Sequence, residues 1–550
     1  MNDRNARGTT GRRLTRTALA AVLVAGAGLP AGHAFAQDGG SAPATTPFAL
    51  NATAHGPGAG ARLTGDHQGF SVESADFAHG YLTKERMADR LRTLGDDGVI
   101  RLGGYSMDLV WPAFGKWSGS AAPKEAIGGT VDQSDLDALK KLVRASGWKV
   151  TLGVPLKAVI DQSLLKDPSK DPAPQVTLDQ VVAEVKAAHE TLGDDLLSVE
   201  IGNEFDNVTT MTGGDMWETV KRYEAAIHTA LPHAGIKVLG PSANTAATNT
   251  RLDEFTAAAA ADTTVKPEKI LSELSSHLYP GSHCGSSSMP LAQVLAPETY
   301  TKTQAKLDGI KAIGARFGDR IPMTLNESNS ASCSGQPGVS NAYATALWSL
   351  DYLMQTARSG VNRVEFHTNT GGICGDFKPR DSADYPISYR YYGAFCAKDQ
   401  AELDAGGLSA NPLYYGLWAF RQVPEGRFVD LGLTDADLGG LRAYGVQGRD
   451  GKLTLVLINV QDPAAAGSTA DEVTVALPSS YRTGRATTLR TSAPDGLASV
   501  DASAVRLGDR TVSPAGKPSG HLRTASVEVG HRSTTVEVAP GTARIVTLSR

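Results

Sequence analysis

The sequence predicts an α/β protein, a (β/α)8 barrel followed by an all-β sandwich domain. Three observations carry that expectation. Eight short apolar runs alternate with amphipathic segments from about Gly69 onward, the rhythm of strand and helix in turn. After about Trp418 the texture changes to strands with period-two alternation. A chain of 550 residues, 41% hydrophobic, can also bury a large core and fill more than one domain.

In chain order, residues 1–36 stand apart from the fold. Arg4, Arg7, Arg12, Arg13 and Arg16 form a basic head, "ALAAVLVAGAGL" from Ala18 to Leu29 an apolar run, and "AFA" at Ala34 to Ala36 a small-x-small signal. This is the pattern of a secretory signal peptide cleaved after Ala36. The run is too short to span a bilayer, and no later segment is apolar enough to cross one. The expectation is a secreted, extracellular protein with no membrane partner. Five arginines and Asp3 leave with the leader, so the formal net charge moves from −5 to −9. That balance argues against nucleic acid or strongly acidic polymers as partners.

Residues 37–66, rich in Ala, Gly, Pro and Thr, read as a linker or an edge strand joining the β-domain. The glycines of "HGPGAGAR" lack a following Lys-Ser/Thr, which excludes a phosphate loop. The barrel is expected over residues 67–420, on "GFSVE", "VIRLGG", "WKVTLGVPL", "LLSVEIGNE", "IKVLGPSA", "LSSHLY", "PMTLNE" and "RVEFHT". Between them, Leu136, Leu139, Leu142 and Val143 fall on one helical face behind Ser134 as cap. Thr177 and Gln180 stand at capping-box spacing. An open doubly wound sheet would carry a Gly-rich fingerprint after its first strand, and "GFSVESADF" is not one. The sandwich is expected over residues 421–550, with a tight hairpin at "RDG", Arg449 to Gly451.

Four cysteines, Cys284, Cys333, Cys374 and Cys396, suit two disulfides in an exported chain and allow three connectivities. No Cys-x-x-Cys or His-x-x-x-His spacing accompanies them, so no metal is expected, and no nucleotide loop points to a cofactor.

The chemistry lies where strands end. In such a barrel the site forms at the C-terminal ends of the strands. The fourth run stops on Asn203 and Glu204 ("IGNE") and the seventh on Asn326 and Glu327 ("TLNE"), so two carboxylates face one barrel mouth. Two facing carboxylates are what glycoside hydrolysis needs, one to give a proton and one to attack or to activate water.

The strand-four Asn-Glu with a strand-seven Glu resembles the retaining clan A glycoside hydrolases. More closely, the chain resembles glycoside hydrolase family 79, the β-glucuronidases and heparanase-like enzymes. "GFSVES", "RLGGYSMD", "IGNEFDN", "SSHLYPG", "LNESNSASCSG" and "FHTNTGGICGDF" carry the likeness. It implies Glu204 as acid/base, Glu327 as nucleophile, and carboxyl groups about 5–5.5 Å apart. It further implies that Asn203 binds the hydroxyl beside the anomeric carbon, that Tyr279 donates to Glu327, and that Asp108 binds sugar hydroxyls. Gly371, Gly372 and Gly375 would bring backbone N–H groups to a uronate carboxylate. Phe205 stands where the family usually has proline, and Tyr105 where it usually has asparagine. In this barrel, Cys284, Cys333 and Cys374 fall in the loops after strands six, seven and eight. Cys284–Cys333 and Cys374–Cys396 would then tie the loops that rim the pocket. The function expected is a secreted retaining exo-β-glycosidase acting on a carbohydrate, most specifically a β-glucuronidase. The rivals are a neutral-sugar β-glucosidase or β-xylosidase and a non-catalytic sugar-binding barrel.

Overall fold

Eight parallel strands close on themselves in the computed structural model. It describes residues 49–55, 60–84, 86–167, 173–244, 249–368, 370, 374, 391–405, 407–433, 440–478 and 481–550. The strands are β1 (Gln68–Glu73), β2 (Val99–Gly103), β3 (Lys149–Val154), β4 (Leu196–Ile201), β5 (Val238–Asn244), β6 (Leu271–Leu278), β7 (Met323–Ser328) and β8 (Arg363–Thr368). They follow one another around the barrel in chain order, and β8 pairs back onto β1. A helix follows each strand: α1 (Met87–Thr93), α2 (Gln133–Ser146), α3 (Leu178–Leu192), α4 (Gly213–Ala230), α5 (Thr250–Ala261), α6 (Pro297–Gly314), α7 (Ala344–Arg358) and α8 (Pro412–Phe420).

Parallel strands covered by helices read as apolar runs because both faces are buried. Charges interrupt those runs, among them Arg101, Glu200, Glu273, Arg363 and Glu365, each buried. Burial is tolerable because each meets an opposite charge at hydrogen-bond distance. Arg101 makes two bonds of 2.6 Å to Glu200, and Arg363 reaches Glu273 at 2.5 Å and Glu365 at 2.8 Å.

The helix starts differ in detail from the sequence expectation. Asp132, not Ser134, caps α2, because its backbone is extended and its carboxylate accepts from the Ser134 N–H at 2.8 Å. Asp135 completes a capping box with it, while Leu136, Leu139, Leu142 and Val143 are buried. At α3, Thr177 accepts from the Gln180 N–H at 3.2 Å. The Gln180 side chain does not reach back to Thr177; it donates to the Pro112 carbonyl at 2.7 Å, so only half of the box forms.

The C-terminal region is a sandwich of two sheets. Its strands are β9 (Gly426–Val429), β10 (Leu441–Gly448), β11 (Leu453–Asn459), β12 (Asp471–Ala476), β13 (Thr483–Thr491), β14 (Val505–Leu507), β15 (Ala525–Val527), β16 (Ser533–Val538) and β17 (Thr542–Ser549). The larger sheet runs from Arg62–Leu63 through β9, β10, β11, β17 and β13 to β14, with β15 also on β13. The smaller holds Ala49–Thr53, β12 and β16. The segment ahead of the barrel thus gives each sheet an outer strand. Leu455, Leu457, Val473, Val475, Val536 and Val546 pack between the sheets. At the β10–β11 hairpin Gly451 takes φ +79°, a backbone glycine adopts freely, and the Gly448 N–H donates to the Lys452 carbonyl at 2.9 Å.

Helix α7 joins the two regions. It is buried on nearly every side, as a helix enclosed by two layers must be. Tyr343, just before it, donates to the Gly541 carbonyl at 2.9 Å, and Tyr444 donates to Asp351 at 2.6 Å. Among the described residues no helix is long and apolar enough to cross a membrane.

Candidate active site

The chain leaves β4 through a tight turn. Gly202 has φ +69°, and a Cβ there would lie 2.4 Å from that of Leu156. Two residues on, Glu204 sits at φ 45° and ψ 54°, a left-handed conformation that costs a non-glycine residue about 1–2 kcal/mol. The turn brings Asn203 and Glu204 to one cavity at the barrel mouth. On the other side, β7 slips in register against both neighbours near its end, beside Ser276/His277 and between Leu325 and Ser328. Bulges of this kind re-aim side chains beside functional sites.

The cavity has a volume of about 740 Å³ and is lined by Glu73, Asn203, Glu204, His277, Tyr279, Glu327, His367 and Tyr392, among others. That lies within the roughly 300–1,000 Å³ typical of small-molecule sites. One oxygen of Glu204, one of Glu327 and a ring nitrogen of His277 lie within 4.8 Å of one another. Glu204 Oε1 is 2.9 Å from His277 Nδ1, and its Oε2 accepts from Asn207 Nδ2 at 2.6 Å. Glu327, only 8% exposed, accepts from Tyr279 Oη at 3.0 Å on Oε1 and from Arg101 Nη1 at 2.7 Å on Oε2. Burial by itself would raise the Glu327 pKa. His367, His277 and Arg101 outweigh that and hold the carboxylate well below its usual range.

Arg101 organises the floor. Besides Glu200 and Glu327 it donates to Ser71 Oγ at 2.8 Å and to Asn203 Oδ1 at 2.7 Å. A guanidinium has no acceptor, so it fixes which end of the Asn203 amide faces it and leaves the NH₂ to turn toward a ligand. Glu73 accepts from the Ser106 N–H at 2.8 Å and also from the Ser106 hydroxyl, and lies 3.2 Å from His367 Nε2. His367 Nδ1 is 2.9 Å from Ser71 Oγ. Burial pulls the His367 pKa down, but Glu327 and Glu73 reverse this, so it stands above the usual histidine value.

The residues expected from the sequence to catalyse or bind separate into three groups. Asn203, Glu204, Tyr279 and Glu327 meet around one cavity. Asp108 does not line it among the described residues; it is 2% exposed and accepts from the Leu156 and Lys157 N–H groups, both at 2.7 Å. Its carboxylate shapes the loop after β3, while Tyr105, three residues earlier, faces the cavity with the Lys157 ammonium 4.9 Å from its ring centre. Gly371, Gly372 and Gly375 lie outside the described residues. The cysteines pair as Cys284–Cys333 and Cys374–Cys396, each with Cα atoms 5.2 Å apart. The first pair lines the cavity, beside the ladder of Gly281–Ser282 on Ala331–Ser332. Sequence reasoning passed over Arg101, Glu73 and His367. The signal for Arg101 was a charge in the middle of an apolar run, placed so that only a barrel interior could hold it.

The spacing of Glu204, His277 and Glu327 would suit a small cation. Both oxygens of Glu327, however, already accept from protonated donors, and Arg101 supplies the counter-charge. The donor set is that of a carboxylate kept ionised by hydrogen bonds rather than of a metal ligand.

No family model matches the chain. A Neurospora crassa protein named β-glucuronidase is 30% identical over 103 residues, 17% of this chain and 18% of that protein. The match therefore spans less than a fifth of the curated relative. Among solved structures, the 4-O-α-L-rhamnosyl-β-D-glucuronidase of Fusarium oxysporum, in complex with Rha-GlcA, superposes over 91% of this chain and all of its own, at TM-score 0.68 and 19% identity. An arabinofuranosidase of family GH51 from Xanthomonas axonopodis matches 91% of this chain and 99% of its own, at TM-score 0.62 and 12% identity. A thermostable GH51 α-L-arabinofuranosidase from Thermotoga petrophila covers the same share of this chain, at TM-score 0.57 and 13% identity. What these structures have in common with the chain is the architecture, a closed parallel barrel carrying a β-sandwich.

Proposed function

We propose that the protein is an exported, retaining exo-β-glycosidase that releases β-linked glucuronic acid from the non-reducing ends of glycans or glycosides. The observation that carries the proposal is the approach of Glu204 and Glu327 to within 4.8 Å across one cavity. Carboxyl pairs of retaining enzymes stand about 5–5.5 Å apart, whereas inverting pairs need about 6.5–9.5 Å to admit a water. The ionised Glu327 attacks the anomeric carbon while Glu204 gives its proton to the glycosidic oxygen. A glycosyl ester forms and the leaving group departs as an alcohol. Glu204, now a carboxylate, takes a proton from water, which displaces Glu327 and frees the sugar with its configuration retained. Tyr279 and Arg101 keep Glu327 charged and aimed. The β-glucuronidase names of the Neurospora relative and the Fusarium structure support the choice of sugar. The leader pattern and the two paired disulfides support export.

One observation favours the neutral-sugar reading. Glu73, Glu204 and Glu327 all face the cavity, and the Arg101 guanidinium is already taken by four acceptors, so it is not left to pair with a uronate carboxylate. Turnover of p-nitrophenyl β-glucuronide, β-glucoside and β-xyloside by wild type and Glu327→Gln decides between them. The proposal expects the glucuronide to be cleaved, and the variant to be slower by at least about 10³-fold. Cleavage of the glucoside alone would replace it with the neutral-sugar reading. Tight binding without turnover of any would leave a sugar-binding barrel.

A further inference from the structure

Lys306 lies on α6, and among the described residues it is the one lysine or arginine that lines the cavity. It is half-buried, and no hydrogen bond or ion pair joins it to another described residue. Burial draws its ammonium below the usual lysine value, and no carboxylate among the described residues offsets the loss of water. A partly desolvated cation with nothing to balance it is a site that gains from an incoming anion.

Its place gives that anion a role. A Cβ added to Gly309, one turn further along α6, would come within 3.3 Å of Asn249 Nδ2, so this face of the helix meets the chain just beyond β5. Lys306 lines the same cavity as Asn244 at the end of β5, and β5 pairs with β4, beyond whose end stand Glu204 and its donor Asn207. Lys306 therefore flanks the acid/base carboxylate, not the Glu73–His367 side. In the reaction proposed above, Glu204 protonates the oxygen that departs, so the group beside it is the leaving group. Beyond it, Pro280, Gly281 and Ser282 wall a second cavity of about 390 Å³, giving the leaving group room to extend. Lys302 and Glu298 both line that outer space, so its charge is mixed.

We propose that Lys306 receives an oxyanion, a carboxylate or a sulfate, carried on the leaving-group part of the substrate next to the bond that is cut. The site thereby prefers acidic aglycones, although the chain as a whole is acidic. This rests on the glycosidase reading above.

The test compares kcat/KM for aryl β-glycosides whose leaving phenols are matched in acidity, one neutral, one bearing a carboxylate and one a sulfonate. Each trio is made on glucuronic acid, glucose and xylose, so that the ratio of acidic to neutral is read on whichever sugar is cleaved. In wild type the ratio exceeds one and falls between low and high salt, as for a partly exposed charge pair. Lys306→Met lowers it about tenfold, and Lys306→Arg holds it within about twofold. Equal ratios in wild type and Lys306→Met, or a ratio indifferent to salt, would overturn the assignment. Cleavage of glucosides alone would overturn the glucuronidase reading while Lys306 is still judged by its ratio. No cleavage of any trio would overturn both.

Discussion

Arg101 serves Glu200, Glu327, Asn203 and Ser71 at once, and together with His367 and His277 it lets the carboxylate at the end of β7 stay charged under 8% exposure. His367 contributes the largest of these attractions, with Nδ1 3.8 Å from Oε2. Replacing it by Gln removes an attraction that lowers the Glu327 pKa, so the pKa moves up toward the ordinary carboxylate value. The acid limb of the kcat/KM profile should then shift to higher pH. A purely structural role for His367 would lower the plateau and leave the limb where it is. Glu204 allows a separate check, because a proton donor matters most when the leaving group is poor. Glu204→Gln should lose about 10²–10⁴ in kcat/KM on an alkyl glycoside and far less on the p-nitrophenyl glycoside. Equal losses on both would remove Glu204 from the role of acid. The paired carboxylates could be read from the sequence because each ends an apolar run. Glu73 also ends such a run, but neither it nor His367 belongs to the repeated Asn-Glu ending that singles out the pair, and only the closed barrel brings these two together.

Helices and strands differ in what the sequence reveals. The eight apolar runs coincide with the eight barrel strands to within a few residues, because a parallel strand buried on both faces has little choice of composition. Their charged interruptions mark the interior. Helix starts were less legible, and Asp132 rather than Ser134 caps α2, since capping depends on where the backbone turns extended and not on residue type alone. On α3, Glu184 is buried, with Oε2 lacking a hydrogen-bond partner among the described residues. Burial pushes its pKa up to about 8. The unfolded chain loses this proton above the ordinary carboxylate pKa of 4.5 while the folded protein keeps it until about 8. Stability is therefore lost as pH rises between those values. Glu184→Gln should raise Tm relative to wild type at pH 7, by an amount equivalent to up to about 3 kcal/mol, and the gain should shrink toward pH 5. A pH-independent difference would mean that the folded carboxyl is already ionised.

At the scale of the molecule, barrel and sandwich form one body through α7, and the loops above the barrel are tied by disulfides. Cys284–Cys333 closes a sequence separation of 49 residues, for which the chain-entropy model gives about 4 kcal/mol. The double variant Cys284→Ala/Cys333→Ala should lower Tm and also raise KM, because the pair lines the cavity wall. Lower stability with unchanged KM would confine the bridge to a structural part. Peptide mapping that joined Cys333 to Cys374 would contradict the pairing. The order of strands and the change to sandwich texture were open to a reader of the chain alone. The N-terminal strands were only partly so, because Arg62–Leu63 is too short to show a period. Glu204 and Glu327 stand 123 positions apart in the chain, and the proposed reaction needs both at one glycosidic bond. A 2-deoxy-2-fluoro-β-glucuronosyl fluoride slows both displacements but keeps a good leaving group, so the glycosyl ester accumulates. Intact-mass and peptide analysis should find one fluoro-sugar bound, on Glu327. An adduct on Glu204 or Glu73, or no adduct together with product of inverted configuration, would contradict the assignment.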